Sequence, residues 1–208
     1  MPKSAPKPAS SIPAPWRNDL DRILISEEEI SRRIAQLAQA ISSDFAGRDT
    51  VVVAVLNGTV MFLADLLRHL AFPLRLDFVG VSSYGNTATS GDLKFTKATS
   101  LELRGRDVLV VDDILDTGKT LDRVTVRLRE FKPRRLRTCV LLDKKARRQI
   151  KIKADYTGFQ IPDEFVVGYG LDFAEKYRNL PFIAVLKSEI FQPGMMASAS
   201  PKVTAPSR

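Results

Sequence analysis

Residues 108–121 read VLVVDDILDTGKTL. A continuous apolar run of strand type ends in two adjacent acids, Asp112 and Asp113. A third, Asp116, opens a loop that leads into a helical pattern. Neighbouring carboxylates repel each other and resist desolvation, so the end of a buried strand holds them only where a partner offsets that cost. The stretch therefore reads as a binding site.

The loop itself has the make-up of an anion site. Gly118 and the backbone amides around it stand at a helix N-terminus, and Thr117 and Thr120 add hydroxyl donors. It is not a Walker A loop, because the glycine required five positions before Gly118 is Asp113. Gly168-Tyr169-Gly170 fails the dinucleotide fingerprint in the same way, with Phe173 at the third glycine position. The acids upstream cannot face a phosphate and must face hydroxyls or a metal. A sugar phosphate satisfies both ends, with phosphate on the loop and a ribose diol on Asp112 and Asp113.

Outward from this stretch, SEEEISRRIAQLAQAISSDF (26–45) carries apolar residues at 30, 34, 37, 38, 41 and 45, a helical spacing, and Ser26 with Glu29 forms a capping box. VVVAVL (51–56) is a buried strand followed by the helical pattern of MFLADLLRHL (61–70). LRLDFVGV (74–81) and TCVLLD (138–143) are further strands. Strands that alternate with helices predict an α/β fold, a parallel sheet with helices on both faces. Beyond residue 150, ADYTGF, FVVGYG and FIAVL are short pieces that predict a small cap, or hood, over the sheet's carboxyl edge. The polar stretch from Ser82 to Thr99 predicts a mobile lid, with Ser83 and Tyr84 at its root.

Composition bounds the reading. A chain of 208 residues with 44% hydrophobic and 27% charged residues suits one globular domain, expected over 18–192. Residues 1–17 and 193–208, rich in Pro, Ala and Ser, are expected to be flexible tails. The single cysteine, Cys139, sits in an apolar run and reads as core, and the single histidine, His69, reads as a surface or helix-end residue. Disulfides within the chain, Cys/His zinc sites and Ser-His-Asp chemistry are thereby excluded, and proton transfer falls to carboxylates, lysines or tyrosines. No run is long enough to span a membrane and no secretory signal is visible, so a cytoplasmic location is expected. A net charge of +8 suits anionic small molecules as well as nucleic acid, and the basic residues crowding 123–153 read mostly as a solvated face.

Several motifs in one order resemble a known family. VVDDILDTGKTL is similar to the phosphoribosyl diphosphate loop of the type I phosphoribosyltransferases. SSYG, LLDKKARR and TGFQIPDEFVVGYGLDFAEKYRNLP resemble its hypoxanthine and guanine branch, and the likeness spans roughly residues 20–190. The resemblance implies the type I fold, Mg²⁺ as cofactor, phosphoribosyl diphosphate and a 6-oxopurine as substrates, and a homodimer or homotetramer. It implies that Asp112 and Asp113 hold the ribose hydroxyls, that Asp116 is the catalytic acid near purine N7, and that Thr117, Gly118, Lys119 and Thr120 hold the 5′-phosphate. Lys144 would read the purine 6-oxo group, Phe165 would stack on the base and Val166 would contact it through its backbone. Asp172 would stand beside the base as a metal-side carboxylate, with Asp112 and Asp113 reaching the metal through ribose or water. Arg178 would contact pyrophosphate, as would the turn Leu56-Asn57-Gly58, often built on a cis peptide. Two departures stand out: Asp112 replaces the usual Glu, and Asn57 replaces a basic residue. The competing readings are a non-catalytic, nucleotide-sensing RNA-binding regulator on the same fold, and a phosphoribosyltransferase for another base such as xanthine.

Overall fold

The computed structural model describes residues 12–83 and 93–192. Its main sheet has six strands: β2 (Thr50–Leu56), β3 (Leu74–Ser83), β4 (Leu93–Lys97), β5 (Asp107–Leu115), β6 (Arg135–Lys144) and β7 (Tyr156–Ile161), in the order β4-β3-β2-β5-β6-β7. All pairings are parallel except β3 with β4. Alternation along the central strands separates two cores. Val51, Val53 and Val55 face one side of β2, with Val108 and Val110 of β5, while Val52, Ala54, Leu109 and Val111 face the other.

Each face is covered by helices whose apolar stripe matches it. Helix α1 (Glu27–Phe45) and helix α2 (Val60–His69) bury Ile30, Ile34, Ile41, Phe45, Phe62 and Leu66 on the first core. Helix α3 (Lys119–Arg129) buries Leu121, Val124 and Leu128 on the second. The capping box of α1 is formed as read, Ser26 and Glu29 satisfying each other's backbone amides. Cys139 is buried in the first core, where burial pushes its thiol pKa up, and His69 ends α2. Among the described residues no helix is long and apolar enough to cross a membrane.

Because β2 is followed by β3 on one side and β5 by β6 on the other, the order in which strands are added across the sheet reverses between β2 and β5. Open α/β sheets place ligand crevices beyond the carboxyl ends of the strands at such a point. Above it stands a second, three-stranded sheet, β1 (Leu20–Ile25), β8 (Val166–Val167) and β9 (Ile183–Leu186), ordered β1-β9-β8 and antiparallel throughout. Leu20, Val167, Tyr177, Leu180 and Phe182 fill its own small core.

Three expectations are corrected here. ADYTGF does not belong to the hood: Tyr156–Ile161 is an edge strand of the main sheet, and Arg33 of α1 donates to the carbonyls of Thr157 and Gly158, both at 2.8 Å. The Ser82–Thr99 stretch is not a loop throughout, since β4 pairs with the end of β3 to make a hairpin. Asp77 fixes the root of that hairpin, accepting from Thr99 Oγ1 (2.6 Å), Ser100 N (2.6 Å), Leu101 N (3.0 Å) and Lys97 Nζ (3.1 Å). Tyr84 lies outside the described residues. Residues 12–17, assigned to a tail, carry a 3₁₀ turn at Ala14–Trp16, and Trp16 packs on Tyr177 with ring centroids 5.6 Å apart. The rest of both expected tails, 1–11 and 193–208, lies outside the described residues.

Candidate active site

At the crevice, β5 delivers its acids. Asp112 is buried, and its Oδ1 accepts the Asp113 amide at 3.0 Å; Asp113 Oδ1 in turn accepts the Ile114 amide at 2.7 Å. Burial, followed by the adjacent charge of Asp113, lifts the Asp112 carboxyl well above the ordinary carboxylate range. Burial also raises Asp113, against the pull of the Ile114 amide and the Arg178 charge. The pair is held at an electrostatic cost that a hydroxyl donor or cation would relieve.

The turn Leu56-Asn57-Gly58 follows β2, and the Leu56–Asn57 peptide is cis, as the resemblance implied. Gly58 packs so tightly on Asp113 that a Cβ there would stand 1.7 Å from Asp113 Oδ2. Gly170 of the hood closes over the same turn: its φ is +99°, and a Cβ would stand 2.0 Å from the Gly58 carbonyl oxygen. The turn, the strand end and the hood thus meet at one point.

Beyond Asp113 the chain makes the loop Asp116–Gly118, with Gly118 at φ +89°, and enters α3. The first intrahelical bond runs from Asp122 N to Gly118 O (3.0 Å), so the amides of Thr120 and Leu121 have no acceptor within the helix. Both residues line the cavity. Asp116 Oδ1 is buried without a partner among the described residues, while Oδ2 lies 3.7 Å from Lys144 Nζ and 3.8 Å from Arg147 Nη1. Lys144, the last residue of β6, is 5% exposed; its ammonium donates to the Glu164 carbonyl (3.3 Å) and sits 3.5 Å from Asp163. An acid and a lysine with spare capacity therefore face each other where the sheet ends. Such a pair offers an acceptor and a donor to a ligand that has both.

A cavity of about 580 Å³ gathers most of the expected site: Leu56, Asn57, Gly58, Asp112, Asp113, Asp116, Thr117, Gly118, Thr120, Asp172 and Arg178 all line it. Arg178 is oriented by Gly170 O (2.9 Å), Asp172 Oδ1 (3.0 Å) and Glu175 Oε2 (2.9 Å). Lys119, Lys144, Val166 and Phe165 stand outside the lining, while the Ser83 side chain and Tyr84 lie outside the described residues. Lys119 is exposed on the first turn of α3, and Lys144 reaches the cavity only through its contact with Asp116. The Val166 side chain is buried in the first core, which leaves its backbone for any ligand contact. Phe165 packs in the hood, stacked on Phe191 at 4.7 Å and edge-on to Phe173 at 5.6 Å, so its ring is not in the crevice wall. Sequence reasoning missed Glu175, a lining residue, and Arg148, whose guanidinium braces the loop from behind. Arg148 sat in a basic run that reads as solvated, and only its neighbour Lys144 was singled out.

Among the described residues no three carboxylates gather into a closed metal cage, but Asp112, Asp113 and Asp172 each bring hard oxygens to one cavity, which suits Mg²⁺, an ion that takes one or two carboxylates and keeps much of its shell as water and phosphate oxygen.

Residues 23–174 match the model of the phosphoribosyl transferase domain, and the chain belongs to that family. Among its relatives is the hypoxanthine-guanine phosphoribosyltransferase of Bacillus subtilis, 43% identical over 177 residues that cover 85% of this chain and 98% of the relative. The bifunctional protein TilS/HprT of Listeria monocytogenes is 46% identical over 175 residues, 84% of this chain, and the matched region spans 27% of that longer protein. A crystal structure of a hypoxanthine phosphoribosyltransferase from Staphylococcus aureus superposes with a TM-score of 0.82 at 40% identity, covering 87% of this chain and 99% of that one. A hypoxanthine-guanine phosphoribosyltransferase from Bacillus anthracis gives 0.76 at 45% identity, covering 81% and 98%.

Proposed function

We propose that this chain transfers a 5-phosphoribosyl group from phosphoribosyl diphosphate to N9 of a 6-oxopurine, hypoxanthine or guanine, and releases pyrophosphate, a purine salvage reaction. The observation that carries the reading is the shared crevice: the carboxylates of Asp112 and Asp113 and the loop Asp116–Gly118 line one opening, with Lys144 behind Asp116. Relatives bearing that activity by name support it.

In this reading the amides and hydroxyls of Thr117, Gly118 and Thr120 hold the 5′-phosphate, with Lys119 adding charge from the rim. Asp112 and Asp113 accept the ribose hydroxyls, which relieves their mutual repulsion. Positive charge develops on the ribose as its bond to the leaving group breaks, as in glycoside cleavage, and the two carboxylates face that charge. The free Oδ1 of Asp116 takes the hydrogen bond or proton at purine N7, which concentrates electron density at N9. Lys144 donates to the 6-oxo oxygen, and the Val166 backbone contacts the base. Phe165 serves as stacking ring once it turns from the hood toward the base. Arg178 and the amides of the Leu56-Asn57-Gly58 turn hold pyrophosphate, with Asn57 contributing no charge. Mg²⁺, when bound, neutralises charge on the departing pyrophosphate; Asp172 would hold it directly, and Asp112 and Asp113 through ribose or water. The lid expected over Ser82–Thr99, with Ser83 and Tyr84 at its root, would keep water from the activated sugar. A dimer or tetramer and a cytoplasmic location go with this reading.

The test is to incubate the protein with phosphoribosyl diphosphate, Mg²⁺ and, separately, hypoxanthine, guanine, xanthine, adenine and uracil, and to identify the nucleotide formed. Product from hypoxanthine or guanine is expected. Product from xanthine or uracil alone would move the protein to another base, and no product from any of them would favour a regulator.

A further inference from the structure

Three consecutive carbonyls, those of Leu115, Asp116 and Thr117, make the outer side of the phosphate loop, and one short strap donates to all three. Arg148 donates through Nη2 to Leu115 O (2.9 Å) and through Nε to Asp116 O (2.8 Å), while the amides of Gln149 and Ile150 donate to Thr117 O at 2.9 and 3.0 Å. The third guanidinium nitrogen, Nη1, donates to Ile152 O (2.7 Å), and Nη2 also pairs with Asp143 of β6. The side chain is thereby fixed at every nitrogen before any ligand arrives. Space for it comes from Gly118, where a Cβ would stand 3.2 Å from Arg148 Cδ and 2.9 Å from Ile152 Cγ2.

The planarity of the trans peptide turns this brace into a statement about the cavity. Each carbonyl points opposite to the N–H that follows it. Holding the carbonyls of 115, 116 and 117 toward the strap sends the amides of Asp116, Thr117 and Gly118 the other way, into the cavity these residues line. Among the described residues those three amides make no turn or loop bond to a backbone carbonyl and none to a side chain. A run of convergent free amides is an anion nest, and it lies next to the helix N-terminus.

We propose that Arg148 is a positioning residue: by gripping the back of the loop it presents the amides of Asp116, Thr117 and Gly118 to the phosphate end of the substrate. The inference rests on the phosphoribosyl transfer reading above. Arg148 touches no reacting atom, and its effect falls on phosphate binding. Loss of two hydrogen bonds from a charged donor predicts that Arg148→Ala raises KM for phosphoribosyl diphosphate about 10- to 100-fold, while KM for hypoxanthine moves less than about 3-fold. Arg148→Lys retains the charge but lacks the planar fork, so it holds one carbonyl at a time and should fall between the two.

The experiment measures both KM values for the wild type, Arg148→Ala and Arg148→Lys, with and without added guanidinium at tens of millimolar, alongside melting temperature. The split between the two KM values, and recovery of the Ala variant by guanidinium, are the expected results. A variant with a lower melting temperature but an unchanged KM for the sugar diphosphate would overturn the inference and leave Arg148 a stability residue. If Arg148→Ala does not fold, the comparison of wild type with Arg148→Lys, by direct titration with phosphoribosyl diphosphate and Mg²⁺, decides the matter in the same way. Failure of the wild type to form nucleotide at all would overturn the activity itself, an outcome separate from unchanged variants of an active enzyme.

Discussion

Replacing Asp112 with Asn should make the empty protein more stable and the enzyme worse. Asp112 is 4% exposed, and burial with the neighbouring Asp113 charge raises its pKa well above the ordinary value. Two unit charges about 5 Å apart at an effective dielectric of about 20 repel by about 3 kcal/mol, which sets the scale of the gain. A gain of about 1–3 kcal/mol at pH 7 is expected. For a chain of this size that is about 3–10 °C in melting temperature. Asn keeps the oxygen that accepts the Asp113 amide, so no backbone donor is orphaned. The sign with pH follows from the raised value. The wild type carries its penalty at pH above that value and sheds it as pH falls below the unfolded carboxyl's value of about 4, where both folded and unfolded carboxyls become protonated. The advantage of the Asn variant should therefore be larger at neutral pH than in acid and vanish below about pH 4. Thermal melts of both proteins between pH 4 and 8, without ligand, check this; turnover with phosphoribosyl diphosphate should fall in parallel. An Asn variant no more stable than wild type at pH 7, or one whose advantage grows toward pH 4, would refute the electrostatic account of the pair.

Asp116→Asn should lower kcat by about 10²- to 10⁴-fold with little change in KM for phosphoribosyl diphosphate, as for a positioned acid or base, and steady-state kinetics would reveal it; unchanged turnover removes Asp116 from the mechanism. Lys144→Met should weaken hypoxanthine use strongly and narrow its advantage over adenine, because the ammonium that pairs with a 6-oxo acceptor meets the amino group of adenine donor to donor. An intact ratio of kcat/KM for the two bases would show that Lys144 is not the 6-oxo reader. Asp77→Asn tests the hairpin root: although burial pulls the Asp77 carboxyl upward, Thr99, the amides of Phe78 and Leu101 and Lys97 hold it well below its usual range. The substitution should cost about 2–4 kcal/mol at pH 7, a difference that shrinks below about pH 4 as the wild type loses the same charge, and denaturant melts at both pH values measure it.

What the sequence disclosed depended on how local the physics was. The β5 acids, the loop and the start of α3 lie within fourteen residues, so their incompatibility with a purely structural strand was visible in the string itself. Helix α1 announced its own cap and its own buried stripe. By contrast, β1 pairs with β9 across more than 150 residues, and nothing in LDRILI, with its exposed middle, marks that partner. LKFTK became a strand because the end of β3 offered it an edge, and polar composition hid it. Lys144 could be singled out because it follows a buried strand, whereas Arg148, four residues on, is defined by three carbonyls that no reading of a basic run can supply. Phe165 shows the reverse limit: its type and place suit a stacking ring, yet its aromatic neighbours Phe173 and Phe191 claim it.

The contact of Gly170 with the Gly58 carbonyl, itself pressed on Asp113, bears on attempts to exchange hoods among relatives in order to alter base choice. A transplanted hood brings its own residue to position 170, and any side chain there drives the recipient's turn toward the carboxylate beneath. Chimaeras that keep glycine at both 58 and 170 should yield soluble, active protein, while those that do not need a compensating shift of the whole turn. The seam for such grafts therefore belongs outside residues 168–172, so that donor and recipient share this joint unchanged.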